Sequence, residues 1–437
     1  MSYQKMYREK YFTAEQAVQF IESGEAIVTP ITPGEPPALL DALVFNKNLN
    51  GNLLYRMLPG YPVLDVEQEK IKQISIFISP YDRKAFAEGK TDLLPNHFSD
   101  IPSLIEIGSS HTERVLMATV SPMDAEGYFS LGTSVSYLGD LLDTAKTIIL
   151  EVNQHMPRTF GEQNKIHISQ VTALVEHDFD LPCVANPVLN DKDMKIGQTI
   201  ADLISNRDTV QIGFGSMPNA VIEYLSGHRD LGIHTEMLPD KVVDLYEKGV
   251  ITNAHKKIFK GKSTATFAYG SKRLYDFMNN NEDILMLPCN ITNDLRNLAQ
   301  LDNLVSVNST VEVDFLGQCN SETINGTYYS STGGQADFAK GVRMAKNGRG
   351  IICLYSTAKN DTISKIVPSL SKGAVVSTSK NDVDIIVTEY GTAELKGKTI
   401  QGRTAALINI AHPQFREQLT FEAVKRGFLP QKNFYLA

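Results

Sequence analysis

Two stretches far apart in this chain repeat one pattern of helix, short strand, turn-rich loop and helix. In residues 13–44, Thr13–Ile21 has helical spacing and Ser23-Gly24 breaks it. The β-branched run Ala26-Ile27-Val28-Thr29 follows, then a loop with Pro30, Pro33, Gly34, Pro36 and Pro37, then a helix over Ala38–Val44. In residues 195–225, a helix over Lys195–Ile204 turns Ile200, Leu203 and Ile204 to one face. The strand Thr209–Ile212, the loop Gly213–Pro218 and a helix over Asn219–Leu225 complete the second copy. Ile21 and Ile204, and Ile27 and Val210, are each 183 positions apart, while Pro36 and Pro218 are 182 apart. Such units build parallel strands into open α/β sheets. Two common units can agree by chance, but the register over the whole stretch favours two related halves. The turn-rich segment Asn186-Pro-Val-Leu-Asn-Asp-Lys192 sets their boundary, giving 1–188 and 189–437. A chain of 437 residues suits two or three domains at roughly 150 residues each.

Further short apolar runs predict buried strands at Ile74–Ile78, Arg114–Val120, Thr147–Leu150, Ile284–Leu287, Ile351–Leu354 and Ile385–Val387. Runs such as Ile148–Leu150 lack alternation, as strands covered on both faces do. The expected fold is therefore α/β: two similar open domains with mostly parallel sheets.

Composition narrows the function classes. Lys and Arg number 42 against 50 Asp and Glu, a formal charge of −8, with no basic block. That balance disfavours nucleic acid and anionic lipid as partners. No apolar run reaches the ~18 residues of a membrane-spanning helix. The first ten residues lack the apolar core of a signal peptide, which predicts a cytoplasmic location. The four cysteines are scattered without a Cys-x-x-Cys pair, which suits a reducing compartment. The nine histidines stand singly, none at metal-ligand spacing, so no metal site is expected.

Four segments could carry chemistry. Gly213-Phe-Gly-Ser-Met-Pro218 lies between a strand and a helix, where glycines let backbone N–H groups approach an anion. Pro218 stands where a dinucleotide fingerprint needs its third glycine, and the pattern fits a structural turn as well as a binding loop. Leu231-Gly-Ile-His-Thr-Glu-Met237 reads as a short buried strand with Glu236 near its carboxyl end, where open α/β sheets bind ligands. A surface carboxylate is the plain alternative, which the apolar company of Ile233 and Met237 weakens. Gly333-Gly334, between Thr327 and Asp337, could offer N–H groups to an oxyanion or simply make a turn. Lys359 follows the expected strand at 351–354 and could meet a phosphate or lie in solvent.

Ordered motifs then resemble a known family. They are Ser121-Pro-Met-Asp-Ala-Glu-Gly-Tyr-Phe-Ser130, Gly213–Val221, Leu231–Met237, Lys272-Arg-Leu-Tyr-Asp-Phe277, Val313-Asp-Phe-Leu-Gly317, Gly333–Phe338, Ser364-Lys-Ile-Val-Pro368 and Val387-Thr-Glu-Tyr-Gly391. From Tyr7 to about Phe421 the chain resembles the acetyl-CoA hydrolase/transferase family, the class I CoA-transferases. The 4-hydroxybutyrate and butyrate–acetate branch is the most similar. The resemblance implies Glu236 as the catalytic nucleophile and a coenzyme A loop at Gly213, Phe214, Gly215, Ser216 and Met217. It implies further coenzyme A contacts at Val311, Gly334 and Lys359, an active site between two similar domains, and a homodimer. Coenzyme A would be a substrate, with no permanently bound cofactor. The expected partners are acyl-CoA and short-chain carboxylic acids. One departure stands out: the loop reads Gly-Phe-Gly-Ser-Met where relatives often have Gly-Ile-Gly-x-Ile, so the acyl pocket is expected to differ.

The chemistry implied is transfer of coenzyme A between acids through a glutamyl thioester, in a ping-pong cycle needing neither metal nor general base. A thioester hydrolase using the same glutamate is the alternative. A non-catalytic binding protein on the same sheets would need the Gly213 loop but not Glu236. No arginine stands out as a clamp for a second carboxylate, which disfavours dicarboxylic acids.

Overall fold

A computed structural model describes residues 2–185, 187–213 and 215–431. Grouped by contact, the chain forms two compact units. The first takes the chain through Asn186 together with Glu236–Asp240 and Lys262–Asn293. The second takes Pro187–Thr235, Lys241–Gly261 and the chain from Asp294 onward.

The first unit is built on a seven-stranded sheet. Its spatial order is Asp92–Leu93, Ile71–Phe77, Asn52–Met57, Ala26–Val28, Arg114–Val120, Thr147–Val152 and Ala173–Glu176, with every neighbour parallel. Residues Val115–Val120 and Thr147–Val152 are buried on both faces, as the largely apolar runs imply, with Thr119 and Glu151 buried among them. Ile27, Leu54, Ile71, Val115, Met117 and Ile149 share one core cluster with Leu39, Leu40 and Leu43 of the helix Pro37–Leu43. The chain leaves Ala26–Val28 in one direction and returns on its other side at Arg114–Val120, so the strand order reverses there. The loop after Val28 lies at that reversal and is buried from Thr29 to Pro36. A buried loop must satisfy its own polar groups. Glu35 does much of this, accepting from Arg56 Nε at 2.7 Å, Thr32 Oγ1 at 2.8 Å and the Gly60 N–H at 2.7 Å.

This unit also carries two short parallel pairs, Met237–Leu238 with Phe267–Ala268 and Ser263–Ala265 with Ile284–Met286, and the antiparallel pair Tyr128–Ser130 with Lys165–His167.

The second unit carries a six-stranded sheet. Its order is Gly232–Ile233, Thr209–Ile212, Leu304–Ser309, Arg349–Cys353, Ile385–Thr388 and Gly391–Glu394, parallel but for the last pair. Order reverses between Thr209–Ile212 and Leu304–Ser309. Thus the two strands matched in the sequence repeat, Ala26–Val28 and Thr209–Ile212, each flank the reversal of their own sheet. The helix ahead of the second one is Asp191–Ala201, several residues earlier than the 195–204 expected. The cause is a capping box: the Asn190 side chain accepts from the Lys192 and Asp193 N–H groups, and Asp193 reaches back to the Asn190 N–H.

The strand expected over 231–237 is two elements. Gly232–Ile233 belongs to the six-stranded sheet, and Met237–Leu238 pairs elsewhere, with Glu236 between them. Apolar spacing identified the buried residues but not the change of partner.

Candidate active site

Glu236 is half-buried and sits where the chain passes from one strand pairing to another. Its backbone carbonyl accepts from the Thr266 N–H at 2.9 Å and the Phe267 N–H at 3.2 Å, which fixes the main chain at this position. Its carboxylate Oε2 accepts from Asn293 Nδ2 at 3.1 Å. Asn293 is itself fully buried and held on both sides. Its N–H donates to the Cys289 carbonyl at 2.9 Å, and its Oδ1 accepts from Thr292 Oγ1 at 2.9 Å. The Asn293 amide orients one oxygen of the carboxylate. Asn293 was missed in the sequence. Its only signal is a polar residue shortly beyond the carboxyl end of the strand Ile284–Met286.

His234, two residues before Glu236, is buried among aromatic rings. It stacks on Phe259 at 6.2 Å and meets Phe338 edge-on at 6.5 Å, the surroundings of a core histidine.

The remaining expected residues lie in the second unit, all but Gly334 in segments that follow strands of its sheet. Gly213, Gly215, Ser216 and Met217 follow Thr209–Ile212; Phe214 lies outside the described residues. Val311 follows the next strand, Leu304–Ser309, and Lys359 follows the one after, Arg349–Cys353. In open α/β sheets the carboxyl edge, at the reversal of strand order, is where ligands bind.

The loop's glycines answer to geometry. A Cβ on Gly213 would lie 2.9 Å from Asn308 Oδ1 and 3.0 Å from the Val307 carbonyl of the adjoining strand. Gly215 sits at φ +131°, a conformation L side chains rarely adopt, and opens the helix Ser216–Tyr224. Gly334 caps the helix Gln335–Met344, so its turn and the first helical N–H groups lack intrahelical acceptors. Lys359 heads three successive non-glycine residues at positive φ, Lys359, Asn360 and Asp361. Such a backbone costs of order 1–3 kcal/mol per residue and persists only when its surroundings enforce it. Here Asp361 Oδ1 accepts from Lys192 Nζ at 2.5 Å and also from the Thr357 hydroxyl.

Among the described residues, no group of three or more His, Cys, Asp or Glu is placed to hold a metal ion. Nor is any helix among them long and apolar enough to cross a membrane.

Comparison with known proteins fits this arrangement. The acetyl-CoA hydrolase/transferase N-terminal domain matches residues 1–185, and the C-terminal domain of the same family matches residues 270–423. A succinyl-CoA:cyclohexane-1-carboxylate CoA transferase of Geobacter metallireducens is 42% identical over 429 residues, covering 97% of each chain. A 4-hydroxybutyrate coenzyme A transferase of Clostridium kluyveri is 40% identical, covering 98% of this chain and 100% of its own. The crystal structure of RipA from Yersinia pestis superposes with a TM-score of 0.90 at 36% identity, covering 98% of this chain and 100% of that one. With both domains matched in order and relatives aligned end to end, the chain belongs to the acetyl-CoA hydrolase/transferase family.

Proposed function

We propose that this protein is a CoA-transferase, moving coenzyme A from a short-chain acyl-CoA to a free carboxylate such as acetate, with Glu236 as the nucleophile. The donors favoured are 4-hydroxybutyryl-, butyryl- and acetyl-CoA. The observation that carries the reading is the Glu236 carboxylate, presented at a break between strands with a buried amide aimed at one oxygen.

A carboxylate oxygen attacks the thioester carbonyl and expels the CoA thiolate, leaving an acyl–glutamyl anhydride. The thiolate then attacks the glutamyl carbonyl, releasing the first acid and leaving a glutamyl-CoA thioester. An incoming carboxylate runs the two steps in reverse. The energy of the thioester is conserved at each stage, and no proton has to move. Each attack develops an oxyanion, for which the N–H groups of the Gly333-Gly334 turn are the proposed donors. Coenzyme A contacts are assigned to Gly213–Met217, Val311, Gly334 and Lys359. The halves 1–188 and 189–437, a homodimer and a cytoplasmic location belong to the same proposal. Two relatives whose names specify CoA transfer, at 42% and 40% identity, support transfer over hydrolysis.

The test is chemical. Enzyme incubated with acyl-CoA and no acceptor should gain the mass of coenzyme A as a thioester at Glu236, reducible by borohydride and discharged by excess acetate. Glu236→Ala should still bind acyl-CoA yet form no adduct. Glu236→Asp withdraws the carboxylate by one methylene, and a displacement of about 1 Å can cost ~10²-fold in rate. Near-full exchange by Glu236→Ala, or an adduct at another glutamate, overturns the assignment. Release of free acid and CoA at the transfer rate, whatever acetate is added, would favour the hydrolase.

A further inference from the structure

One buried carboxylate joins two of the loops assigned to coenzyme A. Asp193 lies in the first turn of the helix Asp191–Ala201 and is almost wholly buried. Its Oδ2 accepts from the Asn190 N–H at 3.0 Å, closing the capping box. Its Oδ1 has different partners. It accepts from Ser216 Oγ at 3.0 Å and from Tyr355 Oη at 2.6 Å. Ser216 belongs to the glycine loop, and Tyr355 stands at the head of the segment leading to Lys359. The Tyr355 hydroxyl also accepts from Asn190 Nδ2 at 3.1 Å, and burial followed by its bond to Asp193 raises its pKa above the usual phenol value.

The same turn reaches the far end of the Lys359 segment. Lys192 Nζ holds Asp361 Oδ1 at 2.5 Å and donates to Thr357 Oγ1 at 3.3 Å. One helical turn past Asp193, Gly197 packs so closely on Ala220 that a Cβ there would lie 2.7 Å from the Ala220 backbone. Asp193 and Gly197 are thus four residues apart on one helix, and their partners Ser216 and Ala220 are four apart on the next. This i, i+4 match sets the two helices in a single register.

We propose that Asp193 is a positioning residue for coenzyme A, tying the glycine loop at Ser216 to the Lys359 segment at Tyr355 through a single carboxylate oxygen. The inference rests on the reading that these loops bind coenzyme A. Hydrogen bonds to a carboxylate are the stronger kind, so loosening this one should be visible in affinity. Asp193→Ala should raise the KM for acyl-CoA by about tenfold while changing kcat less and leaving the KM for acetate in place. Tyr355→Phe removes one hydroxyl and spares the capping box; it should raise the same KM by a smaller factor. Combined with Asp193→Ala it should add nothing, because both variants cut one connection. If Asp193→Ala does not fold, Tyr355→Phe and its pairing with Ser216→Ala decide the matter by the same non-additivity.

Equal loss for acyl-CoA and acetate, a fall in kcat alone, or additive effects of the two substitutions would overturn the proposal. Gly215→Val separates it from the reading beneath it. Should that variant leave the acyl-CoA KM unchanged, the loop does not carry coenzyme A. Should it raise that KM while Asp193→Ala and Tyr355→Phe do not, the loop reading stands and only the role of Asp193 falls.

Discussion

Asn293 turns a side chain of many rotamers into a placed carboxylate, the one proposed as nucleophile. The Glu236 carboxylate has several staggered positions open to it, and the 3.1 Å bond from Asn293 Nδ2 selects among them. The amide cannot rotate to lose this bond cheaply, because Thr292 Oγ1 identifies Oδ1 as its other end. Asn293→Ala should therefore lower the rate of glutamyl adduct formation by roughly ten- to a hundredfold, the worth of a bond to a charged group. The KM for acyl-CoA should stay near that of the unaltered enzyme. Rapid-quench mass spectrometry of the first turnover measures both. Asn293→Asp should do worse, since a second carboxylate opposes the ionised form of Glu236.

Elements meet at small residues as well as at polar ones. The helices Asp191–Ala201 and Ser216–Tyr224 approach through Gly197, whose missing side chain leaves room for Ala220. Gly197→Val has no space for its Cβ and must push the second helix outward. Overpacking of this kind costs about 1–3 kcal/mol. Urea unfolding followed by far-UV circular dichroism should show a midpoint lowered accordingly. The glycine loop proposed to carry coenzyme A is attached to the displaced helix, so on that proposal the variant's acyl-CoA KM should rise even under conditions where it is fully folded. Unchanged stability would mean that the helices separate without loss.

Across the whole molecule, one buried lysine should leave its mark on the pH dependence of folding. Lys256 lies against Gly232, donates from Nζ to the Ile233 carbonyl at 2.8 Å, and is pushed by burial down to about 7. In the unfolded chain a lysine titrates at roughly 10.4. Between those values the unfolded state holds a proton that the folded state has released, so stability rises with pH across that window. As pH falls through about 7 that contribution is gone. Lys256→Met has no such proton, and its unfolding free energy, measured in urea from pH 7 to pH 10, should climb less steeply than that of the unaltered protein. Equal slopes would mean that Lys256 stays charged in the fold.

Much of this architecture is legible in the sequence because parallel strands covered on both faces must be short apolar runs. Arg114–Val120 emerges with the expected bounds, and Ile71–Phe77, Thr147–Val152, Arg349–Cys353 and Ile385–Thr388 differ from expectation only at their ends. The repeat located both strands that flank a reversal of strand order. Glu236 and the glycine loop, proposed as nucleophile and coenzyme A loop, stand out through local motifs, whose residues are next to one another in the chain. What only the tertiary structure decided is of another kind. Met237–Leu238 pairs with Phe267–Ala268, Asn293 reaches Glu236 across 57 residues, and Tyr355 reaches Asp193 across 162. Spacing along a chain reports which face of an element is covered, since burial repeats with the period of the backbone. It carries no record of which distant polar group completes a hydrogen bond, because that partner is chosen by how the sheets close in space.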